Sequence, residues 1–319
     1  MYGTSSITAA ICTHNPDRAV FQRCLAALRA QQHVPVQTDL LVIDNGSQPP
    51  LAELPGGGDF PGFSSVRIVR EDRLGLTHAR ERALREARSE VVVFVDDDNF
   101  LRPDHLAVAA DFFSRHPKAG AAGGKCRGKC ETTPPAWFES IAGYLAVTDD
   151  GEKRFHVAEP SWWAPVGAGM AVRRAVALEA FTKPMLLTDR RGKSLSSGGD
   201  TEICYRICRS GHQLWYLPEL VLDHYMPAWR YDPAYLLRLA KGIGESQAIL
   251  DLYRMPDDRR SRLLVLRRAI YFGRQGLALK RKAARDTDER TRLASQMRCV
   301  QFLTQSRAMF SLCFNLPKL

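Results

Sequence analysis

The chain has 319 residues, 45% of them hydrophobic and 25% charged, a balance that excludes disordered and fibrous classes and fits a globular protein. No apolar run approaches the roughly 20 residues of a membrane-spanning helix, and "MYGTSSITAAICTHNPDR" lacks the basic start and long apolar core of a leader, so a cytoplasmic protein is expected. The formal net charge of +10 and a sequence pI of about 9.3 suit an anionic partner, whether nucleic acid, membrane face or polyphosphorylated ligand.

"ITAAICTHN" (7–15) is a short apolar run ending in polar turn residues, which predicts a strand. "RAVFQRCLAALRAQ" (18–31) puts Phe21, Leu25 and Leu28 on one helical face. "TDLLVIDNGS" (38–47) predicts a second strand, closed by the turn signal Asn45-Gly46. The glycine-rich "LPGGGDFPG" (54–62) has no strand before it and no helix after it, so it reads as a flexible loop. "SVRIVRED" (65–72) is a third strand, and "THARERALREAR" (77–88) a helix with Ala79, Ala83, Leu84 and Ala87 inward. "EVVVFVDDDN" (90–99) is the fourth strand, running straight into three aspartates. Strands that are apolar runs, alternating with helices, predict a parallel sheet covered on both faces.

Farther on, "GGKCRGKC" (123–130) reads as an edge strand, and "VGAGMAVRR" (166–174) as a strand that brings backbone close to another group. "SSGGDTEICYRICRSG" (196–211) begins as loop and becomes a helix near Thr201. "QLWYLPELVLDHYMP" (213–227) reads as strand, turn and strand, and the pattern is helical from Asp232 onward. Cys126 and Cys130 are four apart, as are Cys204 and Cys208; buried reduced thiols are favoured over a zinc site because no C-x-x-C spacing occurs.

Ligands of such sheets bind at the carboxyl ends of the strands. Three of those ends are polar here: Thr13-His14-Asn15, Asp44-Asn45 and Asp96-Asp97-Asp98. Neither G-x-G-x-x-G after the first strand nor G-x-x-x-x-G-K-[ST] anywhere is present. Three adjacent carboxylates repel one another and lose hydration near a packed sheet, so a cation among them is expected. At the strand end the alternation of side chains puts Asp96 and Asp98 on one side, fit to hold Mg²⁺ or Mn²⁺ on a diphosphate. The competing reading is a solvated turn, with one aspartate capping the helix after Pro103. Asp200 stands just before a helix with Glu202 in its first turn; both are ordinary for a helix start, and Asp200 also has the carboxylate a general base requires. His224 at a strand end is a further metal ligand candidate.

In this order "AAICTHNPDR", "LLVIDNGS", "EDRLGLTHARERAL", "VVVFVDDDNFLRPDHL", "GAGMAVRR", "GGDTEICYRICRSGHQLWYLPELVLDH" and "RYDPAYLLRLAKGIGES" resemble a family 2 glycosyltransferase of GT-A fold, over about residues 5–247. The resemblance implies an α/β architecture: a mostly parallel central sheet flanked by helices in a catalytic domain at 1–228 (donor half about 1–120, acceptor half about 121–228), then a helical, basic extension at 229–319. It implies donor-nucleotide contacts from Thr13, Asn15, Asp44, Arg80, Asp96 and Asp97, with Asp44 at the base. It implies a Mn²⁺ or Mg²⁺ ion held by Asp98, Asp96 and His224. The family's Glu-Asp pair reads Gly199-Asp200 here, so the Glu is missing and Asp200 inherits the role of base. Glu202, Trp163 and Arg230 are candidate acceptor or phosphate contacts.

The implied reaction is an inverting transfer of a sugar from a nucleotide-diphospho-sugar, UDP- or dTDP-linked, to an acceptor hydroxyl in bacterial-type polysaccharide or glycolipid assembly. The acceptor would be a saccharide or lipid-linked; a small-molecule acceptor walled by Trp137, Trp162 and Trp163 stays open. The rivals are a non-catalytic nucleotide-sugar or glycolipid binder of the same fold and, more weakly, a metal-dependent nucleotidyltransferase. Between Arg254 and Arg307 basic residues far outnumber acidic ones. "RRSRLLVLRRAIYFGRQGLALKRKAAR" is basic and amphipathic, which fits either a helical pair with a basic outer face or a seat on the anionic inner face of the membrane. Nucleic acid is not expected, since no nucleic-acid motif accompanies the charge.

Overall fold

A computed structural model describes residues 6–32, 34, 36–189 and 195–317. The first five residues, part of the stretch read for a leader, lie outside that range. The chain groups into two compact units, Met1–Lys129 with Ala146–Met185 and Asp200–Tyr225, and Cys130–Leu145 with Leu186–Gly199 and Met226–Leu319.

The first unit begins with alternating strands and helices: β1 (Ser6–Thr13), α1 (Arg18–Arg29), β2 (Gln37–Asp44), β3 (Ser65–Arg70), α2 (Leu76–Glu86) and β4 (Val91–Asp96). It continues through β5 (Asn99–Leu101), α3 (His105–Arg115), β6 (Ala119–Cys130), β7 (Phe155–Val157), β8 (Ala171–Arg173), α4 (Arg174–Glu179), α5 (Gly199–Arg209) and β9 (Gln213–Met226). Among the described residues these strands form one sheet in the order β3-β2-β1-β4-β8-β6-β9-β5, with β7 on β9. The pairs β1–β2, β1–β4 and β2–β3 are parallel, and β8 turns antiparallel against β4.

The register explains the unbroken apolar runs. Ala9 pairs with Leu40 and Val93, Ile11 with Val42 and Val95, and all six side chains enter one core with Phe21, Leu25 and Leu28 of α1. The alternate positions, Ala10, Cys12, Leu41, Ile43, Val92 and Phe94, enter the opposite core with Ala79, Ala83 and Leu84 of α2 and Ile203 and Ile207 of α5. A strand buried on both faces has no polar face to alternate with. Burial of a Leu, Ile or Val side chain contributes roughly 1.5–3 kcal/mol, so these central strands dominate the unit's stability.

Two sequence expectations are corrected. The "GGKCRGKC" segment belongs to β6, a strand between β8 and β9 that pairs with β8 at Ala121 and Ala122, and Gly124 lets β9 approach where a Cβ would lie 2.1 Å from the Leu220 carbonyl oxygen. The "QLWYLPELVLDHYMP" segment is one continuous strand of 14 residues, not two joined by a turn. The glycine-rich loop is tied down by Arg29, whose guanidinium donates to the carbonyls of Gly56, Gly57 and Asp59 and lies 4.2 Å over the Phe60 ring.

The second unit is helical: α6 (Pro233–Arg254), α7 (Arg262–Arg285) and α8 (Glu289–Phe314). Its core joins Ala248, Leu252 and Met255 to Val265, Ala269 and Met309. Each helix starts on a side-chain cap, from Asp232, Ser261 and Asp288 respectively. No helix among the described residues is long and apolar enough to cross a membrane.

Candidate active site

The three aspartates do not share one side. Strand β4 ends at Asp96, and Asp97 and Asp98 form the turn into β5. The turn is closed by Asn99, fully buried, which accepts from the Asp96 N–H (3.2 Å) and donates to Asp98 Oδ1 (3.0 Å). Each carboxylate then takes a different partner. Asp96 Oδ1 lies 3.6 Å from Arg80 Nη2, Asp97 Oδ2 accepts from Thr13 Oγ1, and Asp98 Oδ2 lies 3.4 Å from Nε2 of His224. None of the three caps the following helix, which starts at His105 after Asp104.

His224 reaches Asp98 because β5 and β9 are antiparallel with Asn99 opposite His224, and the Tyr225 N–H donates to the Asp98 carbonyl (2.9 Å). Both side chains are mostly buried, His224 at 8% and Asp98 at 15% exposure.

On the α2 side, Arg80 is buried, its guanidinium 5.6 Å over the Phe94 ring. Gly167 packs flat against it: a Cβ there would stand 2.2 Å from Arg80 Nη2. The Gly167 N–H donates to Asp200 Oδ2 (2.7 Å), and Asp200 Oδ1 accepts from the Thr201 N–H (2.7 Å). Asp200 and Asp96 therefore flank one Arg80–Gly167 contact, and the expected close approach of the "GAG" backbone is to Arg80.

The loops after β1 and β2 are bound together. The Asn15 N–H donates to Ser47 Oγ (2.9 Å), and Asn15 Oδ1 accepts from the Gln48 N–H (2.8 Å). Asn15 has φ of 48°, a left-handed conformation that Asn tolerates better than most residues. Buried Asn45 donates to the carbonyls of Glu71 and Arg73 and accepts from the Gly75 N–H, fixing the "EDRLG" segment ahead of α2. Asp44 is 1% exposed; it accepts from the Ser47 and Leu51 N–H groups and from Arg70 Nη1 at 2.9, 3.1 and 2.9 Å. Burial works to raise its pKa, but those hydrogen bonds and the Arg70 charge prevail and hold it below the ordinary carboxylate value.

Two candidates, Glu202 and Trp163, are closed off by their own contacts. Glu202 is fully buried in an ion pair with Arg206 (2.8 Å), so its carboxylate is not open to an acceptor. Trp163 is core: its ring packs on Phe155 and its indole N–H donates to Asp150 Oδ2 (2.9 Å). The exposed tryptophan of the pair is Trp162, at 84%. Arg230 belongs to the second unit, its guanidinium 5.5 Å over the Trp229 ring. Cys126, Cys204 and Cys208 are buried, and burial raises all three thiols.

Sequence reasoning missed Asn99 and Gly167, and placed Asn45 at a polar strand end without its bonds to Glu71, Arg73 and Gly75. Asn99 was visible as the end of "DDDN" and Gly167 as the first glycine of "GAG", but neither motif names its partner.

Among the described residues no three His, Cys, Asp or Glu side chains form a metal cage. The convergence of Asp98 and His224 nevertheless fits a hard divalent cation of the Mn²⁺ or Mg²⁺ type, which takes few protein ligands and completes its shell with ligand phosphates. Asp96, turned to Arg80, fits a supporting place better than a third ligand position.

Residues 8–180 match the family model described as glycosyl transferase family 2. No curated protein matches the chain. Among solved structures, the chain is similar to the mannosyltransferase PcManGT from Pyrobaculum calidifontis in complex with GDP-Man and Mn²⁺, at 18% identity and a TM-score of 0.52, covering 100% of this chain and 77% of that one. It is also similar to GalNAc-T7 with UDP, GalNAc and Mn²⁺, at 14% identity and a TM-score of 0.51, covering 79% of this chain and 52% of that one. The chain thus spans about half the length of the GalNAc-T7 chain. At these identities the likeness concerns the fold, which is the GT-A arrangement.

Proposed function

Since the chain belongs to glycosyl transferase family 2, we propose that it transfers a sugar, with inversion, from a nucleotide-diphospho-sugar to an acceptor hydroxyl. The observation that carries this reading is the pairing of Asp98 with His224 across β5 and β9, beside an Asp200 that is tied through Gly167 to Arg80. Asp98 and His224 would hold the divalent cation, with Asp96 in a supporting place. A bound Mn²⁺ or Mg²⁺ neutralises the donor diphosphate and stabilises it as leaving group. Thr13, Asn15 and Asp97 line the nucleotide side, and Arg80 supplies fixed positive charge near the diphosphate. Asp44, held ionised, is an acceptor-only group that suits a pyrimidine N–H, so UDP- and dTDP-sugars are the first donors to try. Asp200 takes the proton from the acceptor hydroxyl as it attacks the anomeric carbon. The acceptor is a saccharide or a lipid-linked saccharide, and the helical region 229–319 is an extension of the catalytic domain that forms one compact unit with 130–145 and 186–199.

The test is calorimetric titration of UDP, dTDP and GDP, with and without Mn²⁺, on wild type and Asp98→Ala. Binding of one diphosphate that needs both Mn²⁺ and Asp98 supports the donor site and names the base. Metal-independent binding, or none, overturns it. Metal-dependent binding without donor hydrolysis or transfer to any acceptor favours a non-catalytic binder.

A further inference from the structure

Helix α7 has 24 residues and carries eight Arg or Lys side chains and no Asp or Glu. Its inner face is small and apolar: Val265, Ala269, Gly276 and Ala283 are buried. Gly276 lets the backbone of α8 come near, since a Cβ there would lie 3.2 Å from the Leu303 N. The outer face is ordered in sevens. Leu263, Ile270 and Leu277 recur at seven-residue spacing and are 60%, 47% and 52% exposed. Arg267, Arg274 and Arg281, also exposed, recur at the same spacing, each four residues after one of them. At 100° per residue all six fall within one outward stripe about 80° wide. No carboxylate among the described residues pairs with any of the three arginines. By contrast Arg268, turned toward α6, lies 3.6 Å from Asp251.

The stripe asks for a partner that offers negative charge and apolar depth in the same place. A second copy of the helix answers poorly, because it brings only more cations. A nucleic acid offers phosphates but no apolar layer. A bilayer offers both: phosphate headgroups for the guanidinium groups, which extend along their own apolar stems, and acyl chains for the leucines and isoleucine. Phe314, 83% exposed, ends α8 one residue after Cys313, whose Sγ meets the Arg262 carbonyl at the start of α7.

We infer that the outward stripe of α7 docks the chain peripherally on an anionic lipid surface. The docking is independent of the transfer chemistry.

The test is co-sedimentation of the full chain with vesicles of phosphatidylcholine alone and of phosphatidylcholine with phosphatidylglycerol. Binding is expected only to the anionic vesicles and is weakened by salt. The triple variant Arg267→Gln/Arg274→Gln/Arg281→Gln is expected to lose about a hundredfold in binding, each basic residue near such a surface contributing about fivefold. The variant Ile270→Ser/Leu277→Ser is expected to lose roughly tenfold or more. Hydrogen exchange of the wild type on anionic vesicles is expected to show new protection on α7, a readout that does not depend on the variants folding. Equal binding to neutral vesicles, wild-type binding by either variant, or no new protection on α7 overturns the inference. So does binding to duplex DNA, or self-association through α7, without binding to vesicles.

Discussion

The backbone N–H of Gly167 donates to Asp200 Oδ2 at 2.7 Å, while the α-carbon of the same glycine rests against the guanidinium of Arg80. One residue thus sets the position of the proposed base and of the buried cation. Arg80 is 2% exposed, and a methyl group 2.2 Å from Nη2 would force its guanidinium out of place. Gly167→Ala is therefore expected to cost about 1–3 kcal/mol of stability and to lower the transfer rate by about 10- to 100-fold. Steady-state rates at a temperature where the variant is folded check this; an unchanged rate removes Gly167 from the site.

Asp200→Asn removes the base and keeps the side-chain size, but leaves only one acceptor for the Gly167 and Thr201 N–H groups. It is expected to bind the nucleoside diphosphate with Mn²⁺ as the wild type does, and to lose about 10²–10⁴ in transfer rate. His224→Ala is expected to raise the Mn²⁺ concentration for half-maximal binding by about 10- to 100-fold. Titrating metal at fixed diphosphate separates the two variants.

Asp44→Ala leaves the Ser47 and Leu51 N–H groups and the Arg70 guanidinium without their acceptor. A loss of about 2–4 kcal/mol is expected in urea unfolding. A residue that only read the base would leave stability unchanged, so the same variant weighs the two roles against each other.

Glu202→Ala breaks an ion pair buried at 0% and 12% side-chain exposure. The stranded Arg206 also holds the carbonyls of Ala180, Lys183 and Pro184. About 3–5 kcal/mol of destabilisation is expected, with no change in acceptor KM for the folded fraction.

His105 is buried with Nδ1 3.2 Å from the Val221 carbonyl and Nε2 3.1 Å from the Gly169 carbonyl. Burial lowers its pKa against the pull of the two carbonyls. As pH falls below about 6.5, the unfolded chain takes up a proton that the folded chain resists, so stability falls. Asp44, also lowered, adds stability that is lost only as pH falls through the acid range below about pH 4. The Tm of His105→Gln is expected to change less between about pH 7 and pH 5 than that of the wild type; an equal slope assigns the effect elsewhere.

The sequence by itself determined the central strands, the helices that cover them and the polar strand ends. Those features are local: an apolar run such as "VVVFV" has one stable place, between two packed layers, and its exit carries whatever follows to the sheet's edge. It also marked the helical, basic second unit, because composition and period are properties of a segment. Partners across the fold were decided only in three dimensions. Asp96 and Asp98 are two residues apart, but the chain turns at Asp97, so one meets Arg80 and the other His224. Glu202 and Trp163 read as acceptor or phosphate contacts, but Glu202, on α5, is buried against Arg206, and Trp163 is packed against Phe155 of β7 and Tyr216 of β9. Periodicity states which way a side chain points along its own element, and only the packing of elements states what it meets there.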